Sequence, residues 1–71
     1  MNGYKELANA IILQAVKDYR EALRLLSMNP NDKSAQRDKR SIELFFHSQW
    51  FSILTDLNGE LLLKKLKEEF A

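Results

Sequence analysis

The chain has no cysteine, one proline, two glycines and one histidine among its 71 residues. Without cysteine there is no disulfide, no thiolate metal site and no cysteine nucleophile. Small secreted domains usually depend on such staples, so their absence points to a cytoplasmic protein. The lone histidine, His47, has a single acidic neighbour at helical spacing, Glu43. One Glu-x-x-x-His is not the doubled carboxylate–histidine set of a di-iron bundle, and neither a metal nor a cofactor is expected. Long apolar runs are also missing. Leu44-Phe45-Phe46 and Leu61-Leu62-Leu63 fall far short of the ~20 residues that cross a bilayer, so no membrane partner is expected. The start, Met1-Asn2-Gly3-Tyr4-Lys5-Glu6, lacks the basic and apolar regions of a signal peptide. Nor is there a charge bias. Eleven basic residues face ten acidic ones, a formal net charge of +1, which exerts no global pull on nucleic acid or anionic lipid.

What is present is an aromatic concentration. Ile42 to Leu54 holds three of the four Phe and the only Trp, directly after a stretch, Asn31 to Ser41, in which only Ala35 is apolar. A chain this short makes one domain and buries only ~60% of its unfolded surface, so these rings must carry much of the core.

Helical periodicity organises the rest. Tyr4, Leu7, Ala8, Ile11, Ala15, Tyr19, Ala22, Leu23 and Leu26 recur at spacings of three and four, which predicts a first helix over about 3–27. Leu13 falls opposite that stripe and is expected to be exposed. Pro30 ends this helix and can occupy the first turn of the next, with Asn29 as N-cap. The second helix is predicted over about 30–54. Asn58-Gly59 is a turn signal, and Asp56 or Asn58 can cap a third helix over about 59–70, whose apolar face is Leu62, Leu63, Leu66 and Phe70. No alternating pattern supports a strand. The fold expected is an all-α three-helix bundle over 1–71, with two long antiparallel helices and a shorter C-terminal one. The third helix should pack along the aromatic half of the second. The other end is a two-helix extension, in which the polar start of the second helix lies against Leu23 and Leu26.

On an unbroken second helix, Ile42, Phe46, Trp50, Ile53, Leu54 and Leu57 share one ~120° arc, the expected core stripe. Leu44 and Phe51 fall near the back. Flanking helices can bury them; the functional alternative is a patch of Leu44, Trp50 and Phe51 for a protein partner or self-association. A second candidate is the cationic face Lys33, Arg37 and Arg40, at i, i+4, i+7 spacing suited to a phosphate backbone. Asp32 and Asp38 offset part of its charge, and no aromatic residue is interleaved for base stacking. Ser48 is adjacent to His47, but neighbouring helical positions point ~100° apart and make no nucleophile–base pair. Aligning Gly59 with the invariant glycine of a calcium loop puts Leu54 and Lys65 at ligand positions, which removes that reading. No catalytic set converges, so an enzyme is not expected.

Two resemblances follow. Tyr19-Arg20-Glu21-Ala22-Leu23 with Asn29-Pro30-Asn31-Asp32 and Ala35 resembles a tetratricopeptide junction, but the repeat's internal Gly turn and a second copy are missing. Phe45-Phe46-x-Ser48-x-Trp50-Phe51-x-x-Leu54-Thr55-Asp56, followed by Gly59-Glu60-x-Leu62, resembles small uncharacterised helical proteins of prophages and conjugative elements of Gram-positive bacteria. That resemblance implies an intracellular accessory protein of a mobile element and assigns no functional residue. The combined expectation is a non-enzymatic accessory protein acting through protein–protein contact, with nucleic-acid binding through Lys33, Arg37 and Arg40 as the alternative.

Overall fold

The computed structural model describes residues 3–70 as α1 (Gly3–Met28), α2 (Lys33–Phe46), α3 (Gln49–Leu54) and α4 (Gly59–Glu68), with no strand among the described residues. The outermost residues of the domain read over 1–71 lie outside this range. The all-helical expectation holds, but the second helix is two helices, so there are four.

The break falls at His47-Ser48 because Ser48 offers the backbone a local alternative to the helical ladder. Its Oγ donates to the Phe45 carbonyl at 2.6 Å and accepts from the Phe51 N–H at 3.2 Å. Its backbone is extended, at φ −82° and ψ 159°. Serine competes with the helix in this manner more readily than alkyl residues do. The gain lies in packing. An unbroken helix would leave Phe51 at the back, whereas the break turns it inward, and burying such a ring is worth about 2–3 kcal/mol.

The start of α2 is also corrected. Asp32, not Asn29, is the N-cap, accepting from Ala35 N–H at 3.0 Å. Asn29 to Asp32 instead close a turn through Asp32 N–H to the Asn29 carbonyl, 3.0 Å. Asn58 caps α4 by accepting from Leu61 N–H at 3.2 Å.

The helices pack as a rod of 43 × 19 × 19 Å. Tyr4 near the start of α1 reaches the Ile53 carbonyl, while Tyr19 reaches Glu43, so α2 runs antiparallel to α1. Arg20 in α1 pairs with Glu69 just after α4, and Gly59 at the start of α4 lies against Phe46. α4 therefore runs back along α2 beside the middle of α1. The core comprises Ile12, Tyr19, Phe46, Phe51, Leu63 and Leu66. Phe46 and Phe51 meet edge to face at 5.2 Å between centroids, Phe45 and Phe51 at 5.7 Å, and Tyr19 and Phe46 at 6.4 Å. Such geometry suits the ring quadrupoles. At the other end only α1 and α2 remain, and their buried residues there are Ala22 and Ala35.

The α1 stripe is shifted from its expected position. Ile12 is buried, while Tyr4 and Leu7 are exposed. The short α3, rather than a long second helix, is what faces the start of α1, and it covers a different side. Leu13 is exposed.

Candidate functional site

The break at Ser48 redistributes the aromatic segment. Phe51 is only 2% exposed, which removes it from the patch proposed with Leu44 and Trp50. Trp50 and Ile53, assigned to the core on an unbroken helix, are instead 55% and 63% exposed, and Leu57 is exposed as well. Leu44 is 66% exposed but belongs to another surface. Lys33, Arg37, Arg40 and Leu44 follow i, i+4, i+7, i+11 spacing, so Leu44 ends the cationic stripe of α2 and does not adjoin Trp50 on one helical face.

The structure instead assembles an apolar face from three elements. Tyr4 and Leu7 stand one turn apart on α1. Trp50 and Ile53 do so on α3. The Tyr4 hydroxyl donates to the Ile53 carbonyl at 3.3 Å and joins the two pairs. The connection after α3 adds Leu57, which lines an apolar cleft with Leu61, Leu62 and Lys65. Tyr4, Leu7, Trp50, Ile53, Leu57 and Leu61 are all at least half exposed. Isolated exposed apolar residues are ordinary, whereas a grouped exposed set is a feature that interaction surfaces share. Sequence periodicity missed this face because its members lie on three elements and became neighbours only through the break at Ser48.

A charged cluster adjoins the core at Tyr19. Glu43 Oε2 accepts from the Tyr19 hydroxyl at 2.6 Å and from Lys39 Nζ at 2.8 Å, with Lys67 Nζ at 3.4 Å. Burial alone would raise the Glu43 carboxyl; the hydrogen bonds from Lys39 and Tyr19, with the charges of Lys39 and Lys67, outweigh it and hold the group at about 2. Burial, reinforced by the bond to Glu43 and its charge, keeps the Tyr19 phenol protonated well above its usual range. The cluster ties α1, α2 and α4 together. One carboxylate oxygen serves the phenol and both ammonium groups, so the cluster reads as a structural clasp rather than a reactive centre. The sequence carried one sign of it: a tyrosine in an apolar stripe needs a hydrogen-bond partner when buried.

His47 turns away from Glu43. Its Nδ1 lies 3.9 Å from Glu60 Oε1, at the edge of a cleft lined by Leu63, Lys64, Lys67 and Glu68. Among the described residues no group of three or more His, Cys, Asp or Glu is placed to hold a metal ion. No helix of the described residues is long and apolar enough to cross a membrane.

The cationic stripe is presented to solvent. Lys33, Arg37 and Arg40 line one shallow cleft with Gln36. None of the three is ion-paired among the described residues, whereas Arg20, Arg24, Lys39 and Lys67 all have carboxylate partners.

No protein-family model matches this chain, nor does any curated protein or solved structure.

Proposed function

We propose that this chain is a non-enzymatic interaction module whose working surface is the apolar face of Tyr4, Leu7, Trp50, Ile53 and Leu57. One observation carries the reading: an aromatic and aliphatic set from three elements is left uncovered at one end of the rod while the core beside it is filled. Trp and Tyr are the side chains that most often anchor protein interfaces, and here both are half exposed rather than buried. The polar groups that could serve chemistry are engaged with one another around Glu43, which fits a binding role better than a catalytic one. The resemblance to small proteins of prophages and conjugative elements supplies a matching context, a cytoplasmic accessory protein of a mobile element.

The test is site-specific photo-crosslinking in the cell that makes the protein. A crosslinking side chain at Ile53 should give a discrete adduct, and one at Leu13 on another side of α1 should not. Equal labelling at both positions, or none at either, would overturn the reading.

A second reading rests on the unpaired stripe Lys33, Arg37 and Arg40. Three phosphate contacts would make log affinity for duplex DNA fall with log salt at a slope of about −2.7. Gel retardation at low and moderate salt tests it. No retarded band at low salt removes it, as does binding that survives replacement of all three cations by Gln.

A further inference from the structure

Resting on the second reading above, we propose that the duplex-backbone contact does not end with Lys33, Arg37 and Arg40. It continues through Lys39 to Lys67 on α4, and Glu43 sets the charge that this surface presents. The stripe and the Glu43 cluster are continuous. Gln36 and Arg40 line both the cleft that holds Lys33 and Arg37 and the neighbouring cleft that holds Lys39 and Glu43. Lys67 Nζ approaches Glu43 Oε2 to 3.4 Å from α4. A single carboxylate between two ammonium groups cancels one of them and leaves one positive charge over. Each ammonium has three donors, so Lys39 and Lys67 can hold Glu43 and still meet a phosphate. Both side chains reach solvent, at 31% and 52% exposure. With the three cations of the stripe, none of them ion-paired among the described residues, the surface presents four net positive charges.

The charge of the chain is sided. These two clefts with Lys67 hold five of the eleven basic residues and one of the ten acidic ones, so the rest of the chain is net negative, with six against nine. A polyanion is drawn to this side and repelled elsewhere, which the overall net charge of +1 conceals. The spacing suits a duplex. Lys33 to Glu43 covers about 15 Å along α2 at a helical rise of about 1.5 Å per residue. One DNA strand passes about four phosphates in that length. Neither cleft is lined by an apolar or aromatic side chain. A single strand would need rings to stack on, and a lipid surface would take up apolar side chains beside the cations. The cations also come from two packed helices, together too broad for a major groove about 12 Å wide. The contact is therefore with the phosphate backbone and independent of base sequence.

The experiment measures binding of the intact chain to a short labelled DNA duplex by fluorescence anisotropy across a salt series. Four net charges make log affinity fall with log salt at a slope of about −3.6, against about −2.7 for the stripe alone. Lys67→Gln should return the slope to about −2.7 and weaken binding about eightfold at about 0.1 M salt. Lys65→Gln removes the same charge from the part of α4 that faces Leu57 and Leu61, and should change neither. Glu43→Gln keeps an acceptor for Tyr19 and should bind more tightly, with the slope steepening to about −4.5; circular dichroism checks that it is folded. Equal losses in Lys65→Gln and Lys67→Gln overturn the proposal, as does weaker binding by a folded Glu43→Gln chain. So does poly-glutamate that competes as well as unlabelled duplex at equal charge. Binding with a slope of about −2.7 that ignores Lys67→Gln removes the extension and leaves the stripe reading standing. No binding at low salt removes both.

Discussion

The Tyr19 hydroxyl donates a 2.6 Å hydrogen bond to Glu43 Oε2, joining α1 to α2 at the edge of the aromatic core. Tyr19 is fully buried and Phe46 packs edge to face against its ring. One side chain thus supplies both apolar area and the polar tie. Removing only the hydroxyl, in Tyr19→Phe, keeps the packing and breaks the tie. Lys39 and Lys67 still serve Glu43, so the expected cost is about 1 kcal/mol, a fall in Tm of about 4–8 °C for a domain of this size. Thermal melts monitored by circular dichroism measure it, and an unchanged Tm would show that the bond contributes nothing.

The same pair sets the pH response. Glu43 is held at about 2 in the folded chain against an ordinary 4.5. A depressed carboxyl contributes stability above its unfolded value, and that contribution is lost as pH falls from about 4.5 toward 2. With Glu43 partly exposed, the loss is on the order of 2 kcal/mol. Glu43→Gln should be less stable at neutral pH and lose less than the parent on acidification. Tyr19 has the opposite sign. Its folded value is raised, so its contribution is complete below pH 10 and is lost as pH rises beyond it. Melting temperatures from pH 2 to 12 test both limbs, and parallel acid limbs for parent and Glu43→Gln would refute the assignment.

Gly59 is constrained by a neighbour rather than by its own backbone. A Cβ there would sit 2.1 Å from the Phe46 carbonyl oxygen and 3.0 Å from its carbon. Those are backbone atoms at the end of α2 and cannot swing aside. Gly59→Ala should therefore cost about 2–3 kcal/mol by urea denaturation, as overpacking does. At Gly3 nothing lies within 4 Å, and Gly3→Ala should fall within about 0.5 kcal/mol of the parent. Similar values for the two would mean that α4 does not seat on Phe46.

The break at Ser48 makes a further contrast. Ser48→Ala removes an N-cap and should cost about 1 kcal/mol. Phe51→Ala opens the core and should cost about 3–5 kcal/mol. Leu44→Ser lies on the exposed stripe and should change stability by no more than about 0.5 kcal/mol. Chemical denaturation of the three variants decides it. If Leu44→Ser proves as costly as Phe51→Ala, α2 and α3 form one helix.

The contrast between Leu44 and Phe51 also measures how far the sequence could be read. Periodicity located α1 and α4 closely, since Pro30 and the Asn58-Gly59 turn are strong local signals. It placed Phe46, Leu63 and Leu66 in the core. It failed at Ser48, where one hydroxyl competing for the backbone decides between a continuous helix and two. A wheel drawn through that point assigned Trp50 and Ile53 to the interior, where the chain exposes both, and put Phe51 near the back, where only a flanking helix could bury it. The candidate surface was legible only as an excess of aromatic residues. Which of them face outward depends on tertiary packing, above all on Gly59 admitting α4 against the end of α2.

The far end of the rod deserves a dynamic reading. There α1 and α2 meet over Ala22 and Ala35, the only buried residues at that end among the described residues. Little apolar area is lost when those last turns separate, so opening them is far cheaper than opening the ring cluster. Amide protons around Leu25 to Gln36 should exchange through local fluctuations, and those around Ile12, Phe46 and Leu63 only through global unfolding. Stability is thus graded along the long axis, and the end that breathes least is the one next to the uncovered face.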